Sequence, residues 1–316
     1  MPFIVGAYAA APRGLEPGTP FRNFVDDVLA VPAVDGLEVP FQDNGSPWND
    51  PAYLHATAPA SEHVLTMIPA TMMALGGSPA QGLASSDDGG RKQAVEQLRR
   101  AYEFVVAVGE GPGGRFTAVE LHPAPRHPHT SADAFRASLD EALSWDWGGV
   151  RLTIEHSDAH SDTYAPSKGF LSLADELDVA DERGIGVVLN WARSAIETRS
   201  VDGPREHLAA VVARGRLGGL VFSGVSDAAT LDGAAWADLH LPIRGWSDAP
   251  VAADAAASLL TTDEVTAWLA AAGGPDLVGV KITSPSNATP AECRDLVRAH
   301  VAIVAGAVEA DRGRRG

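Results

Sequence analysis

Residues 184–190 read Gly-Ile-Gly-Val-Val-Leu-Asn, and residues 218–223 read Gly-Gly-Leu-Val-Phe-Ser. Neither run alternates polar with apolar. Short unbroken apolar runs predict strands buried on both faces, the mark of a parallel sheet lying under helices. Working outward from these two, the same signature predicts strands at 3–8, 36–41, 63–69, 116–122, 149–156, 185–191, 218–223 and 277–282. Most successive strands leave at least the about 30 residues that a strand, a helix and two loops require. Helix starts are marked between them. Thr19-Pro20 precedes FRNFVDDVL, Ser131 precedes ADAFRASLDEALSW, Thr261 or Thr262 with Glu264 opens a helix that Gly273-Gly274 closes, and Thr289-Pro290 opens the last one. The final stretch, ADRGRRG at 310–316, is expected to fray. Eight βα periods predict an α/β fold of the (β/α)8 TIM-barrel type, a single domain over 1–316 with loop inserts at about 70–92 and 224–260 across the active face. The competing open, doubly wound sheet calls for a Gly-rich phosphate loop after the first strand. The chain there reads GAYAAAPRG, without that spacing.

Composition narrows the partners. The 316 residues carry a formal net charge of −17, which argues against nucleic acid and against anionic membrane surfaces. Hydrophobic residues make up 45%, enough for a full core. Cys293 is the only cysteine, so neither an intrachain disulfide nor a Cys-rich zinc site is expected. No apolar run is long enough to span a bilayer, and the opening MPFIVGAY has no basic n-region. A cytoplasmic location is the expectation. Only three lysines occur, Lys92, Lys168 and Lys281.

In a barrel of this type chemistry sits at the C-terminal ends of the strands. Polar residues collect there: Glu38, Glu120 and His122, Glu155 and His156, Asn190 and Trp191, Ser223 and Lys281. Period-two alternation puts Gly36 with Glu38; Ala118 with Glu120 and His122; Arg151 with Thr153 and Glu155; Val188 with Asn190; and Gly279 with Lys281. The opposite faces are bulky and apolar, so Glu38, Glu120, Glu155, Arg151, Asn190 and Lys281 are expected to converge on one cavity. Glu38 and Glu120 have a second reading, as internal ion-pair partners of Arg151 and Lys281. The densest cluster of ligand-type residues is EHSDAHSD, 155–162, where Glu155 and Asp158 are candidate metal ligands and His160 and Asp162 fit a solvated loop. The histidines of HPAPRHPHT, 122–130, are unevenly spaced for a metal site. Trp191 is placed to wall a ligand, and Trp145 and Trp147 to close a helix. His240 joins the candidate substrate-binding residues, while Trp236 and Trp246 have no assigned place.

With GLEVPF (36–41), IEHSD (154–158), LNWARSAIE (189–197), DLHLP (238–242), SLLT (258–261) and VGVKI (278–282), the sequence resembles the xylose isomerase-like TIM barrels, the sugar isomerase/epimerase superfamily. More narrowly, it resembles a mainly bacterial branch defined as a domain of unknown function. The resemblance implies a small-molecule, sugar-like substrate, homo-oligomers, and a divalent cation such as Mn or Mg held at four strand ends by Glu, Asp, His and Glu. Glu155 matches the first of these. Asn190, then Ser223 or Gly224, and Lys281 stand at the other three, so most ligand positions are unmatched.

The leading expectation is an isomerase or epimerase of a sugar or sugar acid. Glu155 would be the base that abstracts a proton next to a carbonyl, Lys281 would stabilise the enolate, and His156 and Asn190 would orient hydroxyls. Glu38, Glu120, His122, Asn190, Trp191 and His240 make up the expected substrate-binding set. The alternatives are a Schiff-base aldolase or lyase using Lys281 and a non-catalytic carbohydrate-binding barrel. A glycosidase pairing of Glu120 with Glu155 and a nuclease rank lower.

Overall fold

Apolar runs at regular spacing do form strands. The computed structural model describes residues 1–231, 233–245 and 256–315. It contains β1 (Phe3–Val5), β2 (Gly36–Pro40), β3 (Glu62–Thr66), β4 (Arg115–Leu121), β5 (Arg151–Glu155), β6 (Gly186–Asn190), β7 (Leu217–Phe222) and β8 (Val278–Val280). The strands follow one another in sequence order around a closed parallel barrel, which excludes the open sheet. The chain divides into two compact units, 38–188 and 1–37 with 189–316.

In the first unit, register fixes which side chains share a face. Glu38 is opposite Val64 and Thr66 opposite Glu120. Glu120 is in turn opposite Thr153, and Glu155 is opposite Val188. The register slips between His63 and Val64, so Phe116 meets the Phe104 ring of the helix Asp88–Gly109 while Ala118 and Glu120 lie on the other side. Ser131 caps the helix Ala132–Leu143 by accepting the Ala134 amide. Trp147 closes that helix: its indole N–H donates to the Ala142 carbonyl at 2.8 Å, and Tyr102 and Trp145 pack against its ring. The expected insert at 70–92 is mostly helical. The helix Ile68–Gly77 fills its start and Asp88–Gly109 its end. Pro69 suits the first turn, and the Asp87 carboxylate caps the second helix on the Gly90 amide.

The second unit is built on β1, β7 and β8. Phe3 pairs with Val278, Leu220 with Val278 and Phe222 with Val280. The helix Thr19–Leu29 buries Phe21, Phe24, Val25 and Val28, one apolar stripe. Thr261 caps Thr262–Ala272 through the Glu264 amide, and Gly273 ends it in the left-handed region at φ 74°. Trp268 of that helix is fully buried. It stands edge-on to Phe222 and donates its indole N–H to the Pro204 carbonyl at 2.8 Å. The last helix, Pro290–Arg315, begins with a reciprocal cap in which the Thr289 amide donates to Glu292 and the Glu292 amide to Thr289. It does not fray. The Arg315 guanidinium binds Asp311 and reaches the carbonyls of Leu269 and Ala270, cations at a helix end where they are favoured. Cys293 is buried in this helix, and burial pushes its thiol pKa up. The insert 224–260 has neither strand nor α-helix among its described residues, though Gly224 bridges Leu241 and Arg244 bridges Thr261. Trp246 lies outside the described residues. No helix among the described residues is long and apolar enough to cross a membrane.

Two core histidines make stability depend on pH. The His300 ring accepts the Ile243 amide on Nε2 at 2.9 Å and faces the Leu296 carbonyl with Nδ1 at 2.8 Å, which defines a neutral ring protonated on Nδ1. Burial lowers the pKa of His300 and of His63 to about 4. An unfolded chain takes up these two protons near the ordinary value of 6.5. Stability from this source is therefore present above about 6.5 and is lost as pH falls toward 4, by about 3 kcal/mol per ring at most. Urea unfolding at about pH 7 and about pH 5 is expected to show the drop, and His300→Gln to flatten it.

Candidate active site

Alternation on β2, β4 and β5 brings three carboxylates together. Glu38, Glu120 and Glu155 are all buried, and one oxygen from each lies within 4.8 Å of the other two. Glu155 is braced by two neighbours. His122 Nε2 lies 2.7 Å from Glu155 Oε2, and the Thr66 hydroxyl donates to the same oxygen at 3.4 Å. Thr66 Oγ1 also accepts the Ile68 amide, which ties the brace to the start of the helix Ile68–Gly77. Three of the expected residues, with His122, thus form one group. Arg151 does not join them. It is the first residue of β5 and is exposed, because alternation fixes the side of a strand but not the level along it.

The residue after Glu155 points to the other side. His156 Nδ1 lies 2.8 Å from Glu176 Oε2, and Glu176 is fully buried in the helix Leu173–Arg183. Asp158 clasps its own loop. Its Oδ2 accepts the Lys168 amide at 2.7 Å, and its carbonyl accepts the amides of Gly169 and Phe170. His160 pairs with the exposed Asp162 and stacks on His127 with ring centroids 4.1 Å apart.

The second unit carries its own strand-end residues. Asn190 ends β6 and caps the helix Trp191–Thr198, its Oδ1 accepting the Ala192 amide at 3.1 Å and the Ser223 hydroxyl at 2.7 Å. Lys281 follows β8, is fully buried, and places its ammonium 5.0 Å from the centroid of the Tyr8 ring. Trp191 is fully buried in the first turn of its helix. His240 has φ 52°, and its Nδ1 lies 3.3 Å from Asp238, whose other oxygen is 3.5 Å from the buried Arg193.

Sequence reasoning passed over Thr66, Glu176, Arg193 and Asp238. Thr66 has the strand-end signal. Glu176 lies on the buried stripe with Leu173, Leu177 and Ala180, where a charge is out of place. Arg193 gives no such signal, because every residue from Trp191 to Ile196 is buried.

The donors at the strand ends where the resemblance implies a metal do not fit one. Both lone pairs of the Asn190 carbonyl oxygen are taken, by an amide and a hydroxyl. Ser223 spends its proton on Asn190, and Lys281 brings a positive charge. Glu38, Glu120 and Glu155 do offer hard oxygen donors of the kind that suit Mg or Mn.

The fold is that of the xylose isomerase-like TIM barrels, which are its neighbours among solved structures. The chain belongs to the family described as Domain of unknown function (DUF4862), whose family model matches residues 4–294. It is similar to the uncharacterized protein STM3670 of Salmonella typhimurium (strain LT2), 36% identical over 293 residues, 89% of each chain. It is similar in fold to the IolI protein crystallised with a binding zinc atom, at a TM-score of 0.59 and 12% identity over 97% of this chain and 99% of that one. An L-ribulose 3-epimerase matches with a TM-score of 0.58 and 14% identity over 99% of this chain and 96% of that one.

Proposed function

We propose that this protein is an enzyme that moves a proton on the carbon next to the carbonyl of a small sugar or sugar acid, in the manner of an isomerase or epimerase. The observation that carries the reading is the meeting of Glu38, Glu120 and Glu155, from β2, β4 and β5, within 4.8 Å. The fold shared with an L-ribulose 3-epimerase supports a sugar-like substrate. Glu155 takes the proton from carbon, leaving an enediolate. His122 and Thr66 hold its Oε2, so the carboxylate meets the substrate in one orientation. Glu38 or Glu120 then exchanges a proton with the neighbouring substrate oxygen, and return of a proton to either carbon completes the isomerisation. A positioned carboxylate contributes about 10²- to 10⁴-fold to such a transfer.

The test is hydrogen exchange. The protein is incubated in heavy water with 2-ketopentoses and 2-ketohexoses, and the sugars are followed by NMR and mass spectrometry. Deuterium is expected at carbon next to the carbonyl in at least one of them. Binding of these sugars without any exchange would sink the enzymatic reading and leave a carbohydrate-binding barrel.

A further inference from the structure

The ends of β6 and β8 carry the N–H groups of Asn190 and Lys281, with Ser223 at the end of β7 between them, at positions where the resemblance implies a cation. Asn190 and Ser223 are joined by a 2.7 Å hydrogen bond. Phe222 is in register with Val280, and the Lys281 amide donates to the Phe222 carbonyl at 3.0 Å, so Ser223 and Lys281 follow as neighbours on adjacent strands. All three side chains are fully buried. The Asn190 amide is committed on one side only. Oδ1 holds the helix cap and Ser223, whereas Nδ2, also sealed from solvent, has no hydrogen-bond partner among the described residues. A buried amide N–H without an acceptor costs about 1–3 kcal/mol, and such groups are uncommon in native proteins. Ser223 orients that amide, and Lys281 stands next to Ser223 on the adjacent strand. The indole Nε1 of Trp191, one residue on, is likewise buried without a partner among the described residues.

We infer that Asn190, Ser223 and Lys281 form an oxyanion-binding set that takes a carboxylate oxygen of a sugar-acid ligand in place of a divalent cation. Nδ2 donates to that oxygen and the ammonium supplies the charge, a pairing stronger than one between neutral groups. The carboxylate is dehydrated on entry, which raises the worth of both contacts. Asn190 cannot turn its oxygen toward a ligand without giving up the helix cap and the Ser223 bond, so the polarity of the set is fixed by the fold.

Calorimetric titration with sodium D-gluconate, and with neutral D-glucitol as control, tests the set. Gluconate is expected to bind saturably and glucitol at least about tenfold more weakly. Asn190→Asp keeps the cap oxygen but replaces the donor with a negative charge, and Lys281→Met removes the ammonium at similar size. Each is expected to weaken gluconate at least about tenfold. Should either variant fail to fold, as read by circular dichroism, the other variant and the wild-type comparison still decide. The inference is overturned if gluconate binds the wild-type protein no better than glucitol, or binds the folded variants as tightly as the wild type. The readout is binding, so its failure leaves the proton-transfer reading standing, and a failed exchange experiment leaves this one standing.

Discussion

Glu155→Gln is expected to reduce deuterium exchange next to the substrate carbonyl by about 10²- to 10⁴-fold, the full contribution of a positioned base. Gln has nearly the shape of Glu, and its carbonyl oxygen can accept from His122 and Thr66 as the carboxylate does. What it cannot do is hold the abstracted proton. The change therefore separates basicity from architecture, and binding of the ketose is expected to survive. Thr66→Val, by contrast, removes one 3.4 Å bond to the same oxygen and leaves the base in place. Its expected effect is a fraction of the first. Undiminished exchange in Glu155→Gln would transfer the role to another group.

The largest expected effect on stability comes from Trp268→Ala. The ring is fully buried between β7 and the helix Gly203–Ala213, and its N–H satisfies the Pro204 carbonyl. Truncation removes the buried aromatic area, opens a cavity and leaves a carbonyl short of its donor. Such changes cost about 3–5 kcal/mol. Urea unfolding followed by circular dichroism checks the value. Trp268→Phe, which keeps most of the ring but not the hydrogen bond, is expected to lose clearly less.

How far the sequence reaches can be judged from these residues. The barrel was legible because its strands are buried on both faces, and burial on both faces writes unbroken apolar runs such as GIGVVLN. Strand ends were less so. The run at 185–191 continues through Trp191, yet the strand stops at Asn190 because the asparagine caps a helix at once. The grouping of Glu38, Glu120 and Glu155 with His122 followed from period two, a local rule that survives folding. Its limits show at Arg151, which shares the parity of Glu155 but sits at the exposed start of the strand. Asp158 shows another limit, since its partner is an amide ten residues away in a loop whose path no spacing rule gives. The stretch 70–92 looked loop-like from its Gly, Ser and Pro content. The helix Ile68–Gly77 carries its glycines at the very end, where they cost least.

Cys293 gives the molecule a reporter of its own. The chain's one thiol is packed into the helix Pro290–Arg315 and held largely as the unreactive protonated form. A thiol-directed dye can attach only when that helix lifts away, so labelling kinetics in native buffer read the opening of this element with no engineered probe and no background from a second site.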